Sequence, residues 1–356
     1  MPYLKINQNN FFNNYQVLKN LTKDENKIAI VLKDNAYGHG ILEIAKLAHQ
    51  KSIKNAFVKN MQEALCIQHL FENISILYPQ SCFLQNHFEQ CLKTPNILFC
   101  VASLEFLKTL PNGTQIELKV NSGMNRNGIS KEELKEAFNI ITQKNLKLIG
   151  VFTHNGYGDD LGAEFFSQNQ NFSQIKKEVL SFTKSLNLPL PRFHSLSSSG
   201  AFRDNTTQDK QDFLEDSFYR FGIAFYGYLC ADSVFNFQHN LKPIASLWAQ
   251  KISTCKLLKG QTIGYSGTSK ALEDMQISTY DIGYGDGLFR IKEGMELFTK
   301  EGYRIFARAS MDCISIQSTQ EEVCIFEDVS EFAKAFNTIP YEILVHLHSY
   351  IPKKII

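Results

Sequence analysis

A lysine at the point where a buried strand runs out into a turn can attack a carbonyl once it has lost its proton, and residues 28–40, IAIVLKDNAYGHG, set up that arrangement. Ile28, Ile30 and Val31 predict a buried strand, and Lys33, Asp34 and Asn35 bring in turn chemistry. Tyr37 to Gly40 form a turn with aromatic and polar tips, and the apolar spacing of 41–49 predicts a helix. Lys33 therefore ends the strand of one βα unit. Its ordinary pKa is about 10.4, so it needs burial or cationic neighbours to become reactive. Lys119, His154 and Ser197 with Ser198 fall at the C-terminal ends of other expected strands, which in a parallel barrel share one mouth, and Arg220 falls with the last strand.

The elements that must position these residues follow from hydrophobic patterning. Strands are expected at 55–58, 74–78, 97–102, 115–120, 146–153, 192–196 and 220–225, which with the lysine strand makes eight. Helical patterns at 61–71, 84–92 and 104–110 alternate with them. Eight such units predict an α/β fold with an N-terminal (β/α)8 TIM-type barrel. An open doubly wound sheet lacks support, because no G-x-G-x-x-G follows the first strand. Past Tyr228 the texture changes to short extended runs at 244–248, 252–258, 277–282, 304–309 and 313–316, with one helix at 329–336. This predicts a mostly-β C-terminal domain. The polar patch 231–240 marks the expected boundary, giving residues 1–232 to the barrel and 233–356 to the second domain.

Composition narrows the function classes. The 356 residues carry a net charge of +1 with 44% hydrophobic content, so there is no basic field for nucleic acid or an acidic membrane. No apolar stretch approaches the roughly 18 residues that span a bilayer, and the start lacks signal-peptide order, so the expected location is the cytoplasm. Eight cysteines without C-x-x-C spacing read as reduced thiols, mostly small core residues. His346 and His348 read as lining a strand face rather than as zinc ligands, and no metal is expected.

The segment KDNAYGHG resembles the lysine segment of bacterial alanine racemases, V-x-K-A-N-A-Y-G-H-G, with Asp34 in place of alanine. LKVNSGMNRNG, GVFTHNG, RFGIAFYGY, IGYSGTSKA, DIGYGDGLFR and ARASMD resemble further segments of that family, in its order and over nearly the whole chain. The resemblance implies an enzyme that interconverts L- and D-alanine and supplies D-alanine for peptidoglycan. It implies pyridoxal 5'-phosphate as cofactor, carried as a Schiff base on Lys33, whose freed amine is one base. Tyr265 would be the opposite base, lent by the partner in a head-to-tail homodimer. Tyr37, Ser198, Gly222, Ile223 and Tyr341 match phosphate-binding positions, His154 a contact beside the ring, and Arg220 the arginine facing the pyridine nitrogen. Arg126 matches a substrate-carboxylate ligand, and Lys119 a lysine that is carbamylated in many members and holds that arginine. Met311 and Asp312 match contacts at the partner's site, and Tyr284 an entrance residue.

These assignments have physical content. Arginine offers only donors, so a ring nitrogen facing Arg220 stays unprotonated, a weaker electron sink that limits side reactions. Backbone N–H groups at a glycine turn or helix start can cradle phosphate. Inversion needs bases on both faces of the α-carbon, because one base alone tends to return the proton to its original face. Ser197 replaces the usual asparagine, Gly285 the usual alanine, and Asp34 adds a carboxylate next to Lys33, changes that leave a broader racemase, for example on serine, as the alternative. A non-catalytic pyridoxal-phosphate-binding protein would stop after the barrel, and a decarboxylase of the same broad fold would use a cysteine such as Cys313.

Overall fold

The computed structural model describes residues 1–80, 85–206, 214–237 and 239–356; Cys82 and Leu84, the first residue of the expected helix 84–92, lie outside the described residues. Strand β1 (Tyr3–Ile6) is followed by eight short strands that alternate with helices: β2 (Ile28–Val31), β3 (Asn55–Val58), β4 (Asn73–Ile76), β5 (Ile97–Val101), β6 (Gln115–Lys119), β7 (Lys147–Phe152), β8 (Arg192–His194) and β9 (Tyr219–Phe221). They form one parallel sheet in the order β8-β7-β6-β5-β4-β3-β2-β9. Every residue of β2, β3 and β5 is buried, as expected of strands covered by helices outside and side chains inside. β8 and β9 are three residues each, and the seam between them is bridged by Ser217 N to Phe193 O at 2.7 Å and Arg220 N to Leu196 O at 3.0 Å. The strand order is thus nearly closed, and the expected barrel is present.

The rest of the chain is the expected mostly-β domain, with β10 (Ala245–Leu257), β11 (Thr262–Ile263), β12 (Ser269–Lys270), β13 (Met275–Tyr280), β14 (Leu297–Phe298), β15 (Arg304–Phe306), β16 (Ile314–Ile316), β17 (Glu322–Phe326) and β18 (Lys353–Ile355). The runs expected at 244–248 and 252–258 are one 13-residue strand, β10. Its first half pairs with β17 and its second with β13, and the register shifts between Lys251 and Ser253, which is where the apolar pattern breaks. The first strand of the chain joins this sheet, with β1 lying between β10 (antiparallel) and β18 (parallel).

Two details bear on the site. The helix Pro340–His346, which the patterning did not predict, lays its backbone against the turn after β2, so a Cβ on Gly38 would collide with the Leu344 carbonyl; Gly38 also sits at φ +82°. His346 ends that helix, with Nδ1 2.7 Å from Glu342 O, and His348 stacks on Tyr350 at 4.6 Å, so the pair lies on no strand. Among the described residues, no group of three or more His, Cys, Asp or Glu could hold a metal, and no helix is long and apolar enough to cross a membrane. The described cysteines are free, but only Cys91, Cys100 and Cys324 are buried, and Cys66 and Cys255 are exposed, so the thiols are less a core set than their composition suggested.

Candidate active site

The lysine at the end of β2 sits on an unusual turn. Asp34, Asn35, Ala36 and Tyr37 have φ of 54°, 55°, 53° and 53°, a left-handed helical turn without a glycine. Each such residue costs roughly 1–2 kcal/mol, so the surroundings must enforce the shape. Ala36 N donates to Leu32 O at 2.9 Å, Gly38 N to Asp34 O at 3.1 Å, and Ile41 N to Asn35 Oδ1 at 2.9 Å. His39 Nδ1 lies 3.0 Å from Ala36 O and 2.9 Å from Tyr37 O, and its ring stacks on Tyr226 at 4.5 Å, whose hydroxyl donates to Val31 O at 2.8 Å. Since carbonyls only accept, Nδ1 carries the proton. The result is a fixed platform with the Lys33 Nζ 5.8 Å from the Tyr37 ring centre. Burial pushes the Lys33 amine below its ordinary pKa, Asp34 pulls it back, and Arg126 adds to the fall.

Beside the platform, β8 and β9 end in a cradle of donors. Ser198 begins the helix Ser198–Thr206, and its buried Oγ lies 3.2 Å from Gly222 N and 3.4 Å from Ala224 N. A Cβ on Gly222 would sit 2.5 Å from the Tyr37 hydroxyl, so only glycine lets the phenol close over these amides. Ile223 is buried next to it. The Tyr341 ring packs on Tyr37 at 5.8 Å between ring centres. Burial raises the Tyr37 and Tyr341 phenols, which keeps both as hydrogen-bond donors.

Cations crowd the mouth. His154 is held neutral, with its pKa pushed down to about 3 by burial and by Arg220, Arg126, Lys119 and Lys33 around it. Lys119 bonds Asn127 Oδ1, and burial with Arg126 and Arg220 lowers its amine to about 8. Arg126 is exposed, on the loop after β6 that Asn121 Oδ1 fastens by accepting from Gly123 N and Asn125 N at 3.1 Å each. Arg220 is buried, and Nη2 donates to Thr153 O at 2.8 Å and Ser195 O at 2.9 Å while Nη1 bonds His194 Nδ1. Guanidinium cannot accept, so His194 Nδ1 is the acceptor and Nε2–H donates to Glu117 Oε1 at 3.1 Å. Glu117 is fully buried, which opposes its charge, but Arg192 at 2.7 Å and His194 outweigh burial and hold the carboxyl well below the usual range.

Tyr265, Tyr284, Met311 and Asp312 are elsewhere. Tyr265 is 58% exposed on the β11–β12 hairpin, where Ser269 Oγ donates to Ala307 O at 3.0 Å. Tyr284 and Met311 are 40% and 55% exposed and joined through backbone, with Tyr284 N on Ser310 O at 3.1 Å and Gly285 N on Met311 O at 2.8 Å. Asp312 is exposed, and Cys313 is half-buried beside it. The chain therefore brings Lys33, Tyr37, Lys119, Arg126, His154, Ser198, Arg220, Gly222, Ile223 and Tyr341 to one mouth and leaves Tyr265, Tyr284, Met311 and Asp312 exposed on the second domain.

Sequence reasoning missed Glu63, His194 and Glu117. N-M-Q-E at 60–63 has capping-box spacing, and Asn60 Oδ1 does accept from Glu63 N at 2.9 Å, but the Glu63 carboxylate reaches Asn35 N and Lys59 N instead of returning to Asn60. Glu117 and His194 carried a signal as ionisable residues inside expected strands, which can be buried only with partners.

A barrel with a strand-end lysine beside a donor cradle and at one mouth with Lys119, Arg126 and Arg220 defines a protein built for an anionic, carbonyl-bearing cofactor. The donor set fits pyridoxal phosphate: Ser198 Oγ, the Gly222 and Ile223 amides and two phenols for the phosphate, Arg220 for the ring nitrogen, and Lys33 for the aldehyde carbon.

The family described as "Alanine racemase, N-terminal domain" matches residues 6–230, and "Alanine racemase, C-terminal domain" matches 244–355. The chain is 38% identical over 353 residues to the alanine racemase of a Nitratiruptor species, covering 99% of each, and 36% identical to that of Campylobacter curvus, covering 100% of each. A crystal structure of alanine racemase from E. faecalis, 25% identical, superposes with a TM-score of 0.81 over 100% of this chain and 98% of that one. The chain belongs to the alanine racemase family.

Proposed function

We propose that the protein interconverts L- and D-alanine with pyridoxal phosphate held at Lys33, acting in the cytoplasm to supply D-alanine for peptidoglycan. When bound, the cofactor supplies an electron-withdrawing ring that acidifies the α-hydrogen of an attached amino acid. The chain's residues do the rest. Tyr37, Ser198, Gly222, Ile223 and Tyr341 hold the phosphate. Arg220, charged and incapable of accepting, keeps the ring nitrogen unprotonated, and neutral His154 packs beside the ring. Arg126 binds the substrate carboxylate and is steadied by Lys119, whose lowered pKa makes the neutral amine needed for carbamylation available near neutral pH.

Lys33 exchanges a proton with one face of the α-carbon, and its lowered pKa suits a base. Tyr265 of the partner subunit serves the other face in a head-to-tail homodimer. Met311 and Asp312 complete the site from that side, with Tyr284 at its entrance. In this reading residues 1–232 are the cofactor domain, and 233–356, to whose sheet β1 is lent, reach the partner's mouth.

The observation that carries the proposal is the strand-end Lys33, half-buried among cations and beside a cradle that a single Cβ would fill. Incubation with L-alanine in heavy water tests it. Loss of optical rotation with deuterium gained at the α-carbon is expected; chirality retained, or carbon dioxide released, would contradict it. A second reading, a broader racemase, is favoured by Asp34, whose carboxylate adds a polar pair with Lys59 at 2.6 Å beside Lys33. Comparable turnover of L-serine would support that range.

A further inference from the structure

We propose that Glu63 is a positioning residue for Lys33, a clamp that holds the left-handed turn in the shape that aims the amine. This rests on Lys33 being the cofactor-bearing base. Residues 34–37 stand in a conformation that each would leave if free, and the hydrogen bonds within the turn would be compatible with its drifting as a unit. Glu63 supplies an external anchor. Its Oε1 accepts from Asn35 N at 3.0 Å, in the middle of the turn, and its Oε2 accepts from Lys59 N at 2.7 Å, just past the end of β3.

One carboxylate thus ties the strained segment to a strand of the barrel. The helix Met61–Cys66 does not need it there, because Asn60 already caps that helix start. An outer tie runs in parallel, from Lys59 Nζ to Asp34 Oδ1 at 2.6 Å, and it is half-exposed and weaker. The chemistry at 63 is specific. Two amide hydrogens need two acceptors on one short side chain, which a carboxylate has; a carboxamide turns an NH2 toward one of them, and alanine leaves both unpaired. Losing the clamp lets the Lys33 amine wander, and displacement of a reacting group by about 1 Å costs roughly 100-fold in rate.

The experiment compares holoenzyme wild type, Glu63→Ala and Glu63→Gln by amide hydrogen exchange, visible circular dichroism of the bound cofactor, and kinetics with alanine. In Glu63→Ala the Asn35 and Lys59 amides should exchange roughly tenfold or more faster. The cofactor dichroism should shrink, and kcat should fall roughly 10- to 100-fold with KM within about twofold. Glu63→Gln, isosteric and retaining one acceptor, should fall between, and it carries the test if the alanine variant does not fold. Unchanged Asn35 exchange, or faster exchange with kcat and dichroism intact, would overturn the proposal. If wild type does not racemise alanine, the functional reading falls, while exchange and dichroism still decide whether Glu63 sets the geometry of Lys33.

Discussion

The barrel mouth and the second domain both present tyrosines, yet under opposite conditions. Tyr37 and Tyr341 are packed against each other, pinned over the Ser198–Gly222 cradle, and raised in pKa by burial. Tyr265 and Tyr284 stand 58% and 40% in solvent, beside an exposed Met311. One region is finished by a single chain. The other is an exposed surface, and in the proposed dimer it meets the first region of another copy. In that proposal the donors belong to the pre-organised half, and the second base comes with the half that arrives from outside.

Breaking the first region should cost most. Lys33→Ala should abolish the cofactor's bound-state absorbance and lower racemisation by roughly a thousandfold or more, read by absorbance and polarimetry together. Damage to the second region should be large but asymmetric. Tyr265→Phe should keep the absorbance and lose roughly 10²- to 10⁴-fold in α-hydrogen exchange, mainly from L-alanine. Equal loss from both isomers would count against a base for each face.

A milder blow sharpens the contrast. Gly222→Ala forces the Tyr37 hydroxyl off the cradle and should weaken cofactor affinity roughly tenfold, measured by titrating apoenzyme; the same change at Gly294, which has open space around its Cβ, should leave affinity alone. The smallest effect is on stability against acid. His39 and His194 are buried neutral with pKa values lowered to about 4, below the unfolded value of about 6.5. The unfolded chain therefore binds more protons between those values. Stability should be complete above about pH 6.5 and fall by about 1.4 kcal/mol per unit per histidine toward pH 4. Thermal melts of His39→Gln should show a shallower slope there.

Much of the mouth was legible in the sequence because strand periodicity and polar strand ends coincide. Lys33, Lys119, His154 and Ser198 fall where β strands run out, Arg220 lies within the last strand, and the parallel barrel gathers them. What was not legible depends on contacts distant in the chain. Nothing in KDNAYGHG announces four left-handed residues, because Glu63 and the helix behind Gly38, both far off in the chain, help to hold that conformation. The tautomer of His194 depends on Glu117, 77 residues away, and no local pattern encodes such a pair. β1 is absent from the expected strands, and only the register with β10 and β18 makes it a strand of the other domain.

If each site takes its amine from one chain and its phenol from another, mixing the subunits of two inactive variants restores activity. Lys33→Ala and Tyr265→Phe proteins, each inactive alone, are dissociated together, allowed to re-form dimers and assayed with L-alanine. Recovery of roughly a quarter of wild-type activity is predicted, since half the dimers are mixed and each of those holds one intact site. No recovery, with mixed dimers shown to be present, would contradict it.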